Sequence, residues 1–486
     1  MPAHPLVTRS RRALWSLHAE IMRLPPAVAL IGLGCLALAA SSDLANTFDA
    51  PRQGGPFVAS LLFLTLLAAF ACFLLATRRK LPARLQRHER PLRLLLYPVL
   101  AWALFTAPQT AGVLAGGVQR ALTVSPPHYG SDDLYYNHYN AWLVLHGQYP
   151  YTGPWLASEV RYFGDRAYTP LARGRFSVPR HYPSRQQMDA VVDEHLAHPA
   201  QPLPELDPAT THSYPAGAFL VAIPAVWAGL PSITLTQLLL LLLVLALAVW
   251  AAPTPLLRVV VLLLLLSTTD GVRQVAGSDF EIGPLALLLF AWLARERRWT
   301  SAMLVGAACA IKQTAWLALP FYLVWVWRSY GRDEALRRGA VAVCCFFALN
   351  LPWLLASPGA WLASVLLPVR LPLLPDGSGL IGLSLTGVLP LFPPVVYSAL
   401  ELAALLAALV WYWRKVATAP FVALVLPLLP LLLAWRSSQR YFVLLPVAAV
   451  FALVLALRAD STQQASPFRR NGSGTRRSTS PTPLVG

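Results

Sequence analysis

Residues 57–76 read FVASLLFLTLLAAFACFLLA, a run without a charged side chain that is closed by Arg78-Arg79-Lys80. At about 1.5 Å per residue such a helix covers about 30 Å, the depth of a bilayer's hydrocarbon. Ile233 to Trp250 and Tyr441 to Leu457 have the same character. Of 486 residues, 56% are hydrophobic and 13% charged, too few polar groups to clothe a soluble globule. The expected fold is all-α, a polytopic membrane bundle of about twelve transmembrane helices, with a range of about 10–14.

Charge orients the bundle. The net charge of +17 comes from arginine, with Lys80, Lys312 and Lys415 the only lysines. Basic residues of this kind mark cytoplasmic ends, and no aromatic-interleaved basic domain points to nucleic acid. Arg9, Arg11, Arg12 and Arg23 precede an apolar run from Pro25 to Ala40, which reads as a first crossing and not as a cleaved signal. A short loop from Asp43 to Gln53 then lies outside, and Arg78 to Arg93 lies inside. The third span, Leu94 to Leu114, delivers residues 119–213 to the outside, with nine of the 22 Asp and Glu residues.

Four regions follow: an N-terminal membrane region of three spans at 1–118, and an extracytoplasmic acidic loop with an interfacial helix at 119–213. A C-terminal membrane bundle at 214–457 and a disordered cytoplasmic tail at 458–486 complete the chain. The tail's Asn471-Gly472-Ser473 matches a glycosylation sequon only by chance if that tail is cytoplasmic. Cys35, Cys72, Cys309, Cys344 and Cys345 lie in apolar segments without metal-ligand spacing and read as small packing residues.

Further apolar segments fall near 216–230, 233–251, 256–268, 282–294, 301–328, 338–355, 394–412, 418–434 and 440–457. Parity leaves two solutions. With Arg295, Arg297 and Arg298 cytoplasmic, 216–230 is re-entrant and 301–328 is a hairpin with Lys312 near its outer tip. With 216–230 crossing, those arginines are outside and 301–328 is one bent helix. The Pro- and Gly-broken stretch Ser357 to Leu391 is an outer loop or a re-entrant pair.

The chemistry concentrates in Ser131-Asp132-Asp133-Leu134-Tyr135-Tyr136-Asn137-His138-Tyr139-Asn140-Ala141, running on to Gly147 and Pro150-Tyr151. Adjacent carboxylates point in different directions on a helix, so one of Asp132 and Asp133 suits a base and the other a neighbour or cap. At helical spacing Asp133 shares a face with Tyr136, Asn137 and Asn140, donors suited to sugar hydroxyls, although interfacial tyrosines are also ordinary belt residues. Lys312, in apolar surroundings, either snorkels or meets an anionic phosphate. Asp270, Arg273, Gln274, Ser278, Asp279 and Glu281 either line the same cavity or form a solvated turn. Arg436 and Arg440 fall outside against the charge bias, which suggests anion duty.

These motifs resemble the GT-C superfamily of integral-membrane glycosyltransferases, especially bacterial polyprenyl-phosphate-mannose-dependent mannosyltransferases, glycosyltransferase family eighty-seven. The resemblance rests on Asp133, Tyr136, Ala141, Gly147, Pro150 and Tyr151, with Tyr214-Pro215, Ile311-Lys312 and Arg440-Tyr441 in support. It covers roughly residues 90–457; Tyr-Pro-Ala and Lys-Gln stand in place of the family's Tyr-Pro-Pro and Lys-Pro, and two additional spans precede the loop. It implies an inverting transfer of a sugar from a polyprenyl phosphate to an acceptor hydroxyl of a glycan, glycolipid or protein at the outer face of the cell membrane. Asp133 corresponds to the general base, with Asp132 beside it. Lys312 and Arg440 would hold phosphate, and Tyr136, Asn140, Tyr151, Tyr214, Gln313 and Tyr441 would line the substrate site. No cofactor is implied, and no Asp-x-Asp supports a metal. A transporter or lipid flippase, or a surface-glycan polymerase or ligase, are the alternatives.

Overall fold

The computed structural model describes residues 15–464 except 17, 48–54, 79–80, 153–154, 166–167, 179, 181, 200, 202, 207–212 and 278–279. Arg9 to Arg12, Ser278, Asp279 and the Asn471 sequon lie outside the described residues. The described chain is helical almost throughout, as a backbone must be where no water can satisfy its polar groups. Among the described residues seven helices are long and apolar enough to cross a membrane: Pro26–Thr47, Gly55–Ala76, Glu89–Thr123, Thr234–Ala251, Arg332–Ala356, Pro394–Lys415 and Gln439–Asp460. Pro255–Leu266 and Thr269–Val275 form an eighth if taken as one span, bent by 63°. The protein is a multi-pass membrane protein.

The apolar segments without a long helix are informative. Residues 216–230 break into Gly217–Leu220 and Ile223–Trp227, each far too short to cross. Residues 301–328 fold back on themselves. Arg298–Cys309 and Leu319–Tyr330 are arms of 12 residues, about 18 Å each. The Ser301 and Tyr322 hydroxyls lie 2.7 Å apart and Tyr330 donates to Glu296 at 2.6 Å, so the arms are antiparallel and the turn falls at Lys312. The hairpin alternative thus describes this segment, and a single bent helix does not.

Residues 418–434, expected as a helical span, are a string of 3₁₀ turns: Pro420–Leu424, Leu426–Leu428 and Pro430–Leu433. Pro420, Pro427 and Pro430 each remove a donor that an α-helix would need. The string runs antiparallel along Pro394–Lys415. Tyr412 donates to the Pro420 carbonyl at 2.7 Å, and the Tyr397 ring meets Trp435 with centroids 5.4 Å apart at the other end. Protein buries nearly all of it, the condition under which irregular backbone is tolerated at such depth.

The two ends of the bundle differ in charge. Arg78 stacks over Trp411, Arg295 over Phe421, Arg328 over Trp413 and Arg458 over Trp250, all at one end. The opposite end carries the acidic region, capped by the helices Trp155–Phe163 and Arg185–Ala197. The Ser357–Leu391 stretch belongs to this cap: the Ala172 amide donates to Pro372 at 2.7 Å, and Asp376–Gly377 pairs in parallel with Arg436–Ser437. Gly377 has φ +127°, and a Cβ there would lie 2.0 Å from the Ser437 carbonyl, so only glycine permits this pairing.

Two further expectations need correction. The Asp132–Leu145 helix is not laid on a membrane surface with one face free. Every residue from Leu134 to Ala141 is buried, because the cap helix Trp155–Phe163 covers one side and the short helices Gly217–Leu220 and Ile223–Trp227 the other. The last helix, Leu445–Gln464, continues past Arg458, where a disordered tail was expected to begin.

Candidate functional site

Asp132 and Asp133 occupy the first turn of their helix, where the peptide dipole favours carboxylates. Ser131 makes no side-chain cap; instead Asp132 Oδ1 accepts the Asp133 amide at 3.1 Å. Asp133 faces the hairpin. Its Oδ2 lies 2.7 Å from the Lys312 ammonium, and its Oδ1 accepts the Tyr214 hydroxyl. Lys312 also reaches Glu281 Oε1 at 2.8 Å and sits 5.1 Å from the centre of the Tyr214 ring. The Thr314 hydroxyl donates to Glu281 Oε2 at 3.0 Å. The Lys312 side chain is 7% exposed, so it does not snorkel; it is a buried cation between two carboxylates.

The hairpin delivers that cation because its chain breaks there. Lys312 is extended, φ −149° and ψ 146°, which leaves helix-end carbonyls without their own partners. Trp316 Nε1 donates to the Cys309 carbonyl at 2.9 Å, and the Gly217 amide to the Ala310 carbonyl at 2.8 Å. A Cβ on Gly217 would lie 2.5 Å from that Ala310 oxygen, so glycine lets the chain after Tyr214-Pro215 dock on the hairpin tip. Asn350 completes the clamp. Its Oδ1 accepts the Ala216 amide at 2.8 Å and Trp361 Nε1 at 3.0 Å, and its Nδ2 donates to Phe346 at 2.8 Å.

Burial and charge set the protonation of the two aspartates apart. Burial alone pushes Asp133 upward, but the Lys312 charge and hydrogen bond, then Tyr214 and Arg440, outweigh it and hold the carboxyl below its usual range. Asp132 is pushed above that range by burial and by the Asp133 charge; the Thr169 hydroxyl, which donates to it, and Arg440 and Arg436 only partly oppose this. Glu159 is raised far above its ordinary value by burial and then by Asp132, and its Oε2 has no partner among the described residues. Burial, then the Asp133 charge, likewise raises the Tyr214 phenol.

The remaining candidates divide. Asn140 is fully buried and neither amide atom finds a partner among the described residues, while Tyr136 is buried within electrostatic reach of Asp132, Glu159 and Tyr214. Arg440 donates to the Gly130 carbonyl at 3.2 Å, at the approach to the aspartates. Tyr441 lies within electrostatic reach of Arg436, Lys312, Glu281 and Asp133. Tyr151 and Gln313 have structural contacts. The Tyr151 hydroxyl donates to the Tyr214 carbonyl at 3.1 Å, and Gln313 donates to Ser213 at 2.5 Å and Val365 at 2.9 Å. In the second half of the bent pair Arg273 pairs with Asp270, whereas Glu281, past the turn that follows, faces Lys312.

Glu281, Asn350 and Thr169 were not singled out as site residues by the sequence. A lone amide in an apolar helix is a usable signal for Asn350; Thr169 carries none. Among the described residues no group of His, Cys, Asp or Glu forms a metal-ligand set, and an ammonium fills the place between Asp133 and Glu281. A cavity of about 140 Å³ lies elsewhere, lined by Ser42, Asp43, Thr268, Asp270 and Arg273 among others, and includes none of the triad. No family model, curated protein or solved structure matches this chain.

Proposed function

We propose that this protein is a membrane glycosyltransferase of the GT-C kind, moving mannose or a similar sugar from a polyprenyl phosphate to an acceptor hydroxyl at the extracytoplasmic face of the cell membrane. The observation that carries the reading is the Asp133 carboxylate paired at 2.7 Å with a lysine at the break of a membrane hairpin, under a cap of polar helices. A general base and a phosphate-binding cation thus meet at the depth where a lipid-borne phosphate and a water-borne hydroxyl would meet.

In this reading the acceptor oxygen bonds to the anomeric carbon while its proton passes to an Asp133 oxygen. The bond from the anomeric carbon to the phosphate oxygen breaks, and its electron pair leaves with the phosphate. A single displacement inverts the centre. The carboxylate loses one negative charge as the phosphate gains one, and no proton is needed by the leaving group. Lys312 is the nearest cation to that transfer of charge, and Arg440 adds field from the outer side. Tyr136, Asn140 and Tyr214 would hold sugar hydroxyls, Tyr441 would stand beside the phosphate, and Tyr151 and Gln313 would fix the wall that carries Tyr214.

Under the same reading the chain passes the bilayer twelve times: the seven long helices, the bent pair, Ile282–Leu293, the two hairpin arms and the 3₁₀ string. The arginine-ringed end is then cytoplasmic and the Asp133 end faces outside. The test is transfer of label from a panel of polyprenyl-phosphate sugars in purified membranes, with Asp133→Asn as control. Transfer that one donor supports and that the variant loses is the expected result. If a folded wild-type protein uses no donor, the enzyme reading falls, and transport through the hairpin region becomes the better account.

A further inference from the structure

We infer that Glu281 is a positioning residue that anchors the Lys312 ammonium while its other partner changes from the Asp133 carboxylate to the donor's phosphate; this rests on the glycosyl-transfer reading above. The geometry is that of a pivot. Lys312 lies 2.7 Å from Asp133 and 2.8 Å from Glu281, and both carboxylates are less than a fifth exposed. Glu281 is fixed by a second residue of the same turn, since Thr314 donates to its other oxygen at 3.0 Å. Asp133 has no comparable tie to the hairpin beyond Lys312 itself.

The charges explain why a second carboxylate is useful. While Lys312 sits on Asp133 it suppresses that group's proton affinity, which makes it a poor base. When an anionic phosphate arrives, Lys312 turns toward it without ever being unpaired, because Glu281 stays. Burial then restores proton affinity to Asp133 at the moment a proton is to be taken. As the C–O bond breaks, the negative charge that Asp133 loses appears on the phosphate, and the ammonium is already beside it. Other groups bearing on the pair are Asp132, Arg436, Arg440, Tyr214 and Tyr441. Tyr214 and Tyr441 bear on Lys312 as well as on Asp133, Arg440 bears on both aspartates and Arg436 on Asp132, while Glu281 holds Lys312 at 2.8 Å.

A pivot that is itself anionic has a cost in donor affinity, and this gives the role a signature. Glu281→Gln removes a negative charge about one ion pair's length beyond the incoming phosphate. Without that anchor Lys312 stays closer to Asp133, which makes the base weaker. In protein reconstituted into lipid nanodiscs, Glu281→Gln is expected to bind a long-chain polyprenyl phosphate at least about tenfold more tightly than wild type, with binding of the neutral polyprenol unchanged. In the transfer assay the same variant shows a lower KM for the donor together with a kcat reduced about tenfold and an acid limb moved to lower pH. Glu281→Asp restores both toward wild type.

Merely structural damage would raise KM or leave it unchanged as kcat falls, and would not tighten phosphate binding. Unchanged or weaker binding of the lipid phosphate by a folded Glu281→Gln protein overturns the inference, even where wild type transfers sugar. If wild type transfers nothing but the variant still binds phosphate more tightly, the anchoring of Lys312 stands as an anion-binding device and the transferase reading is the one that fails.

Discussion

On the hairpin side of the Asp132–Leu145 helix, Asp133 meets a lysine and a phenol; on the cap side, Asp132 meets the Thr169 hydroxyl and, among the described residues, no cation within ion-pair distance. Both carboxylates are partly buried and their Cα atoms are consecutive. One is nevertheless held below the usual carboxylate range and the other above it. The difference lies in the partners, because desolvation acts upward on both. Glu159, also on the cap side, is raised far above its ordinary value by burial and then by Asp132, so it follows Asp132 and not Asp133. Under the proposed sugar transfer such a pair would divide labour: Asp133 would take the proton, and Asp132 would shape the field around it.

Exchange of the two acids is the strongest way to break this contrast. Asp133→Asn is expected to lower sugar transfer by about 10³-fold and Asp132→Asn by less than about tenfold, the range general bases supply. Equal loss in both folded variants would remove the distinction. Next comes Lys312→Met, with an expected loss of about 10²-fold in transfer. It also tests the sign of the electrostatics. Without the ammonium, burial is left as the main influence on Asp133, so the pKa rises and the acid limb of the pH–rate profile moves toward neutrality; in wild type that limb lies below the ordinary carboxylate range. A limb that stays in place would mean that Lys312 does not set the base.

Smaller effects sharpen the comparison. Asn350→Leu leaves the Ala216 amide and Trp361 Nε1 without their shared acceptor, at a cost of about 1–3 kcal/mol in thermal unfolding in detergent, with the hairpin side loosened before the cap. Glu159→Gln is expected to be nearly silent, within about 0.5 kcal/mol in stability, because an amide resembles a protonated acid. A large change there would mean that Glu159 is charged and that the cap side is not neutral.

Much of the fold was legible because lipid imposes a simple rule on sequence. Charge-free runs such as 57–76 and 234–251 must be helical, and arginine clusters mark one end. The rule lost resolution where proline intervened: composition cannot tell the 3₁₀ string at 420–433 from an α-helix, since both are apolar and both are buried. It also misjudged the Asp132–Leu145 helix, whose tyrosines suit a membrane belt as well as a protein interior. The expected site residues Asp133, Tyr214 and Lys312 do come together, and Arg440 lies close enough to bear on Asp133. Glu281 was noticed only as part of a polar turn, because nothing local distinguishes it from Asp270, which pairs with Arg273 instead.

Sequence by itself determined that this chain lives in a membrane, that its long charge-free runs are helical, and that nine of its 22 acids share one stretch, since hydropathy and charge act residue by residue. Only the tertiary structure decided which acid is charged. That depends on the few ångströms between Asp133, Lys312 and Glu281, three residues from different elements, and Coulombic interaction in a buried site follows distance in space and not separation along the chain.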